Sequence, residues 1–312
     1  MDENQAAAQQ AAIQTLIRER DELKDHCFRL QGLLENTGFP PGHFYSPVVD
    51  IKDPQAASDV RSRLGAPRPA GIDVDAGRIG EMMRRLASHH AHFPFPHQPR
   101  EPYRFYIENP FFGAHDASVL FSMLLAFRPK RVIEAGCGYS SCLLLDTNEM
   151  FFDNAMDLTL IDPYLDEIQS RFGPKSAPGA RLYPSKLQNV PIGIFEELEE
   201  NDILFIDSSH VCKTGSDVNY YLFQILPLLK PGVLIHVHDI LYPFEYPEPW
   251  VFEDKRSWNE AYVLRAFLQY NARFEIVYWC DFVVNHLHNE LRSLMPLCLE
   301  NGGGSLWLRR TS

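Results

Sequence analysis

The sequence lacks the features that mark secreted, membrane-spanning and disulfide-stapled proteins. Its six cysteines are scattered through 312 residues without a Cys-x-x-Cys pair, which favours reduced thiols over a disulfide framework. No apolar run reaches about 18 residues, so no membrane-spanning helix is expected. The N-terminal residues are polar and acidic, unlike a secretory signal. We therefore predict a cytoplasmic protein without a membrane span.

Basic residues are also scarce. The chain has 29 Lys and Arg against 41 Asp and Glu, a formal net charge of −12 at pH 7. This balance argues against a nucleic-acid partner held mainly through phosphate contacts, although it leaves room for a local basic patch. Apolar residues make up 45% of the chain, which at this length is enough for one large core with an appendage.

The first segment, residues 1–36, has the pattern of a long helix. Residues 5–35 carry an a/d heptad stripe, interrupted by an arginine and a cysteine and ended by the turn-forming residues 36–42. This short stripe is compatible with a helix docked on its own domain and with a coiled coil, so a homodimer through residues 5–35 is one prediction. The stripe consists of Ile13, Leu16, Arg20, Leu23, Cys27, Leu30 and Leu34.

Residues 37–104 form an extension rich in proline and aromatic residues, with one short helix expected at 76–89. Four histidines lie between residues 88 and 97 without the regular spacing of a zinc site, and we interpret this stretch as a solvated or substrate-side loop. A second aromatic and proline-rich stretch, residues 241–250, suits either a lid that stacks on a substrate ring or a segment packed on the extension.

Strand and helix patterns alternate through residues 105–312. The alternation predicts an α/β domain with a doubly wound, mostly parallel seven-stranded sheet covered by helices on both faces. The last two strands lack a clear crossover helix between them and are expected to pair antiparallel at the sheet edge. Asp116 is predicted to cap the helix before the first strand. Strands are predicted at 131–135, 157–161, 181–183, 202–206, 233–238, 274–279 and 305–309, and helices at 116–127, 140–150, 164–172, 190–199, 216–229 and 257–271.

The most informative stretch is the turn after the first predicted strand. Gly136 and Gly138 allow a sharp turn and let a ligand approach bare backbone, while the N–H groups of the following helix start point into the same space. Glu134 suits a cationic or hydroxyl-rich ligand better than a diphosphate. Asp162 ends the second strand, 24 residues after Gly138, where an acid commonly binds ribose hydroxyls. A ligand-free tight turn and a helix-capping Asp162 are the plainer alternatives.

Polar side chains also end the next strands. Asp207 and His210 follow the fourth predicted strand, and His238 and Asp239 end the fifth. Because the carboxyl ends of parallel strands meet at one edge of a sheet, these four side chains are predicted to share a crevice. They suit a divalent cation, a metal-free general base, or hydrogen bonds among themselves alone. Gln188, after the third predicted strand, is predicted to lie beside an adenine ring.

The motif Glu134-x-Gly136-x-Gly138, together with the acids at 162 and 207 and the Lys-Pro-Gly turn at 230–232, resembles the class I S-adenosylmethionine-dependent methyltransferases. The resemblance covers residues 105–310. More narrowly, residues 134–141 and 205–210 resemble a branch of small-molecule and sugar O-methyltransferases, including enzymes that modify natural products and glycans.

The resemblance implies roles for the residues of the motif. Gly136 and Gly138 would hold the methionine part of S-adenosylmethionine, Asp162 would hold its ribose, and Glu134 would support the turn. The family's third glycine position is occupied by a serine, at 140 or 141 depending on the alignment. The cofactor-binding residues predicted in this way are Glu134, Gly136, Gly138, Ser140, Asp162, Gln188 and Asp207.

A metal site is also implied. Metal-dependent members, which include enzymes like catechol O-methyltransferase, place an acid at the end of the fourth strand and two ligands at the end of the fifth. Asp207, His238 and Asp239 match those positions, and His210 matches a basic group three residues after the acid. The candidate ions are magnesium, manganese or a softer ion. Because His238 replaces an oxygen ligand, the two expectations at this site are an ion softer than magnesium and no metal at all.

These features predict an S-adenosylmethionine-dependent O-methyltransferase that acts on a small-molecule or saccharide hydroxyl. His210 is predicted to deprotonate the hydroxyl, with Asp207 in the site that stabilises the resulting oxyanion. An NAD(P)-dependent oxidoreductase is a second hypothesis, because Gly136-x-Gly138-x-x-Ser141 is close to a dinucleotide fingerprint. A third is a non-enzymatic interaction module that uses the N-terminal helix. The acceptor itself is not identified by the sequence.

Overall fold

A seven-stranded sheet forms the centre of the protein. The computed structural model describes residues 3–35, 37–65, 68–165, 177 and 179–311. Its strands are β1 (Arg131–Ala135), β2 (Asp157–Ile161), β3 (Arg181–Tyr183), β4 (Ile203–Ile206), β5 (Leu234–Val237), β6 (Phe274–Trp279) and β7 (Leu306–Arg310). Their order is β3-β2-β1-β4-β5-β7-β6, with β1 to β5 parallel and β7 antiparallel to both of its neighbours.

Central strands of the sheet are buried on both faces. All four residues of β4 and all four of β5 are buried, as expected for parallel strands covered by helices on either side. Their near-continuous apolar sequences are the reason that they could be recognised, and every observed strand lies within one residue of its predicted bounds. The predicted α/β fold with a mostly parallel seven-stranded sheet is confirmed.

Helices occupy most of the connections between strands. Several match their predictions closely, including those at 76–89 and 140–150. The described helices are α1 (Glu3–Glu35), α2 (Pro54–Arg61), α3 (Ala76–His90), α4 (Ala114–Phe127), α5 (Tyr139–Phe152), α6 (Gly193–Glu196), α7 (Asp217–Tyr220), α8 (Glu248–Phe252), α9 (Glu260–Leu268), α10 (Cys280–His286) and α11 (His288–Leu294).

Three predicted helices are shorter or less regular than expected. The helix at 190–199 reduces to the single turn α6. The helix at 216–229 begins as α7, continues as a π-helical turn and ends as a 3₁₀ turn at Pro227. The helix at 257–271 is limited to α9. The predicted helix at 164–172 lies almost wholly outside the described residues.

Asp116 does not cap α4, so that prediction was wrong. The helix begins at Ala114 with Gly113 at the N-cap position, which places Asp116 inside the first turn. Its carboxylate instead accepts hydrogen bonds of 2.9–3.1 Å from the backbone N–H groups of Gly304 and Ser305. These bonds tie the start of α4 to the residues that lead into β7, a partner 188 residues further along the chain that local sequence does not indicate.

The C-terminal strands pair antiparallel, as predicted, but their connection differs from the prediction. The segment expected to be irregular contains α10, α11 and a 3₁₀ turn at Pro296–Leu299. In addition, β7 inserts between β5 and β6, so of the two C-terminal strands β6 forms the edge of the sheet.

The aromatic stretch 241–250 packs inward for most of its length. The ring of Tyr242 lies 5.2 Å from that of Trp279, and Phe244 is fully buried. The Arg63 guanidinium, from the extension, donates to the carbonyl oxygen of Tyr242 at 2.8 Å. The packed alternative therefore describes this part of the stretch, whereas Trp250 stays half-buried at the edge of a pocket.

The two N-terminal segments differ in how they relate to the domain. In the extension, α3 packs against α4, and the rings of Phe93 and Phe95 contact Phe121 edge to face. In α1, every side chain described from residue 10 to residue 32 is exposed. None of the described helices combines the length and apolar character needed to cross a membrane.

Candidate active site

The glycine turn brings the end of β1 against the end of β4. Gly136 has a φ of +89°, and a Cβ atom built on it would lie 1.5 Å from the carbonyl oxygen of Asp207. A side chain at this position is therefore excluded by both conformation and space. A Cβ atom on Gly138 would meet nothing within 4 Å, so the second glycine leaves open space in front of the helix start.

Glu134 lies beneath this turn and not in the cleft. Its carboxylate is fully buried and accepts hydrogen bonds from the hydroxyls of Ser140 and Ser141, in the first turn of α5. Burial raises the pKa of Glu134 to about 8, although the two hydroxyl donors oppose that shift. Ser140 is buried in the same contact. Both side chains hold the helix start in position under the glycine turn.

Asp162 connects the ends of the first two strands. One carboxylate oxygen accepts a hydrogen bond from the backbone N–H of Cys137 at 3.1 Å, and the other accepts one from the N–H of Tyr164 at 2.7 Å. Each oxygen keeps a second lone pair for a hydroxyl donor. Asp162 and Gly136 both line a cleft of about 360 Å³ at the carboxyl edge of the sheet.

Two polar atoms in this cleft are buried without a hydrogen-bond partner. Gln188 donates from Nε2 to the carbonyl oxygen of Gly215 at 2.6 Å, which leaves its Oε1 unpaired. The hydroxyl of Ser208 is also unpaired. Because burying an unsatisfied polar group costs about 1–3 kcal/mol, these atoms fit a bound ligand that carries its own donors and acceptors. Asp207 lines the same cleft.

His210 lies at the centre of a cluster of carboxylates. Its Nδ1 is 2.8 Å from Oε2 of Glu260, while its Nε2 is 3.5 Å from Asp207 and 3.7 Å from Asp239. The ring centroid lies 4.2 Å from that of Trp258, and the side chain is 8% exposed. One ring nitrogen is therefore held by a single strong partner, and the other faces the space between two acids.

The charges in the cluster shift one another's protonation. Burial alone would lower the pKa of His210, but hydrogen bonds to Asp207 and Glu260 outweigh it and hold that pKa well above its usual value. For Asp207, burial favours a raised pKa, and the neighbouring imidazoles of His238 and His210 bring it down to about 2. Burial raises the pKa of Asp239, with the same imidazoles opposing the shift. The cluster therefore favours an imidazolium beside ionised Asp207.

His236, within β5, and His238, the residue after that strand, have different surroundings. His236 is fully buried, stacks on Phe205 at 3.8 Å between ring centroids, and has neither ring nitrogen paired. His238 is 5% exposed, with Nε2 at 3.6 Å from Asp239 and Nδ1 unpaired. Across the described residues, no group of three His, Cys, Asp or Glu side chains forms a ready metal cluster. In this geometry the ring of His210 occupies the space between Asp207 and Asp239.

These strand ends fall within a known sequence family. Residues 133–240 match the family model described as "Methyltransferase domain", a segment that runs from β1 to the residue after Asp239. An uncharacterized protein from Archaeoglobus fulgidus is 32% identical over 168 residues, which are 53% of this chain and 76% of that protein. The chain belongs to the class I S-adenosylmethionine-dependent methyltransferases.

Similarity to solved structures is weaker than this sequence match. The methyltransferase matches the apo structure of CmcI-N160 with 14% identity and a TM-score of 0.40, over 81% of this chain and 94% of that one. It matches a 1,6-didemethyltoxoflavin-N1-methyltransferase from Burkholderia thailandensis with 16% identity and a TM-score of 0.26, over 89% and 93% of the two chains. Similarities this low add nothing to the family assignment.

A second pocket of the methyltransferase, of about 320 Å³, opens on the other side of the cluster. His238 and Asp239 form part of its wall, whereas Asp207 lines the first cleft. Arg63 and Trp250 also line the second pocket, so the extension and the aromatic stretch 241–250 both contribute to its wall. His210 contacts an acid from each pocket, and the cluster thus lies between two separate binding spaces.

Glu260 is the site residue of the methyltransferase that sequence reasoning missed. It begins α9, is 1% exposed, and accepts a hydrogen bond of 2.6 Å from the hydroxyl of Tyr221. The N–H groups of Asn259 and Glu260 donate to the carbonyl oxygen of His210 at 3.1 and 3.2 Å. A glutamate at a helix start is ordinarily explained by the helix dipole alone. Its partner lies 50 residues away, beyond any local pattern.

Proposed function

We propose that this methyltransferase methylates a hydroxyl of a small molecule or saccharide, with His210 as the general base. The observation that carries the proposal is the hydrogen bond that His210 Nδ1 donates to Glu260, which leaves Nε2 facing Asp207 and Asp239, one acid from each pocket. A base in that position lies next to any ligand that bridges them.

The first cleft is proposed to bind the cofactor. Gly136 lines this cleft and Gly138 presents open backbone. Asp162 offers carboxylate oxygens to ribose hydroxyls, and Gln188 offers an unpaired oxygen to an adenine amino group. Glu134 and Ser140 act beneath the turn, and Asp207 faces the same space. When bound, S-adenosylmethionine supplies a methyl group on a sulfonium that is already a good leaving group.

The second pocket is proposed to bind the acceptor. Phe111 and Trp250 offer aromatic faces, and the Arg63 guanidinium offers polar contacts. This combination suits a ring-bearing, hydroxyl-rich molecule such as a saccharide or a natural product. Above its raised pKa, the neutral His210 imidazole would accept the proton of the acceptor hydroxyl at Nε2, and the carboxylates of Asp207 and Asp239 would stabilise the imidazolium that forms.

A second version of the mechanism places a divalent cation on Asp207, His238 and Asp239. One imidazole and two carboxylates suit manganese or a softer ion better than magnesium. A cation there would stabilise the acceptor oxyanion directly. The metal-free version is favoured because both carboxylates already have His210 Nε2 within 3.7 Å as a partner for their charge.

Binding and activity measurements test the proposal in two steps. Calorimetric titration with S-adenosylmethionine should show saturable binding, and titration with NAD should show none; the reverse result would favour the oxidoreductase hypothesis. A mass-spectrometric screen of hydroxylated metabolites and glycans should then detect the gain of one methyl group. The His210→Ala variant should bind the cofactor normally but lose turnover, and full activity in that variant would refute the assignment of the base. Turnover that persists in excess chelator would exclude the cation.

A further inference from the structure

Helix α1 carries an apolar stripe that none of the residues described in the structure covers. The helix spans 33 residues, about 50 Å at the usual rise per residue. Leu16 is 63% exposed and Leu23 is 64% exposed, as expected for a stripe that points into solvent. Helices of this kind are stabilised mainly by packing of their apolar face, so the exposed stripe indicates a partner outside the domain.

The charges beside the stripe indicate which partner fits. With Ile13, Arg20 and Cys27 at a positions, Glu19 falls at g and Lys24 at e of the following heptad. Residues five apart do not face each other on one helix. In a parallel, in-register pair of identical helices, however, Glu19 of each copy meets Lys24 of the other, so the surface is complementary to itself.

We propose that α1 pairs with α1 of a second copy as a parallel, in-register coiled coil. The two Glu19–Lys24 contacts set the orientation, and the single charged a position, Arg20, disfavours shifted registers. This arrangement places Cys27 of one copy directly opposite Cys27 of the other. The dimer is independent of the methyl-transfer mechanism, because α1 lies apart from both pockets.

An antiparallel pair would place the cysteines differently. Antiparallel registers that set a positions against d positions put Cys27 opposite Leu16 or Leu23 of the partner. The two cysteines are then 11 or 4 residues apart along the helix axis, about 16 or 6 Å. Once the lateral separation of the two helices is added, both arrangements exceed the span of a disulfide. Oxidative cross-linking therefore distinguishes the two orientations.

The first experiment is mild oxidation of the full-length protein followed by a non-reducing denaturing gel. The wild type should give a covalent dimer, and Cys27→Ser should give none. A matched control moves the thiol to the outer c position, as Arg29→Cys in the Cys27→Ser background, and should also give none. Equal cross-linking in the control, or a dimer that forms without Cys27, would overturn the parallel arrangement.

The second experiment measures association without a covalent bond. Sedimentation equilibrium should show a dimer whose dissociation constant rises roughly threefold to tenfold in Glu19→Lys and in Lys24→Glu. The double variant Glu19→Lys with Lys24→Glu restores opposite charges and should recover the wild-type value. Leu23→Asp should give monomers with unchanged affinity for S-adenosylmethionine. A monomeric wild type, or charge variants that do not rescue each other, would refute the proposal.

Discussion

Removing the charge of Glu260 should lower the pKa of His210 by about one to two units. Glu260 Oε2 lies 2.8 Å from His210 Nδ1, and both side chains are buried. A hydrogen bond to a charged group contributes about 1.5–3 kcal/mol, and one pKa unit corresponds to about 1.4 kcal/mol. Glu260→Gln keeps the shape and a hydrogen-bond partner but removes the charge that stabilises the imidazolium.

The pKa can be measured directly by NMR titration of the histidine side chains, with His210→Gln identifying the His210 signal among the 12 histidines. In the wild type the imidazolium should persist well above pH 6.5, and in Glu260→Gln it should titrate lower. The acid limb of kcat/KM should move to lower pH by the same amount, while kcat on the plateau falls because the ring is less well oriented.

Glu245→Gln provides the matched control. Glu245 is also bonded to a tyrosine, since its Oε1 accepts from the Tyr262 hydroxyl at 2.5 Å, but it does not contact His210. Its removal should leave the His210 titration unchanged.

The pH dependence of stability gives a further check. Because folding raises the pKa of His210, protonation of His210 stabilises the folded protein fully below about pH 6.5. This contribution is lost as pH rises through the pKa of the folded state. An unchanged or raised pKa in Glu260→Gln would refute the proposed role of Glu260.

Three further predictions concern the cofactor side of the site. Gly136→Ala should lower the free energy of unfolding by more than about 2 kcal/mol, because the added Cβ would lie 1.5 Å from the carbonyl oxygen of Asp207. Gly138→Ala is the control and should fold normally. A normal Tm in thermal unfolding of Gly136→Ala would contradict the prediction. Asp162→Asn should weaken S-adenosylmethionine binding roughly tenfold in calorimetry, and unchanged affinity would exclude a ribose contact. Because folding raises the pKa of Glu134 from 4.5 to about 8, the free energy of unfolding should fall as pH rises from 4.5 to 8. In denaturant melts, Glu134→Gln should make this pH dependence less steep. An equally steep pH dependence in the variant would exclude Glu134 as its cause.

The strands could be predicted well because a short stretch of the sequence is enough to recognise each of them. Buried parallel strands such as β4 are short runs of apolar residues, and their bounds follow from where those runs stop. The glycine turn could also be predicted from the local sequence, because a backbone conformation with positive φ, as at Gly136, favours glycine. Asp207, His210 and Asp239 could be placed near one another because strand ends in a parallel sheet share an edge.

Features that depend on distant contacts could not be predicted in the same way. Asp116 looks like a helix cap, but its partners are 188 and 189 residues away. Glu260 looks like an ordinary first-turn acid, yet it is bonded to a histidine 50 residues earlier. The insertion of β7 between β5 and β6 depends on pairing that no periodicity reports. Asp116 and Glu260 each satisfied a local rule, while a long-range hydrogen bond determined the role of the side chain.

The backbone at the site shows how those distant contacts determine its geometry. His210 and Asp239 follow β4 and β5 with φ values of 58° and 56°, a region that costs non-glycine residues about 1–3 kcal/mol. At His210 the conformation is held by the two N–H groups that begin α9. At Asp239 it is held by the close approach of Gly304, where an added Cβ would lie 2.9 Å from the Asp239 carboxylate. The orientation of both side chains therefore depends on α9 and on the residues before β7. The sheet edge alone would bring the acids and the imidazole close together but would not orient them toward one another.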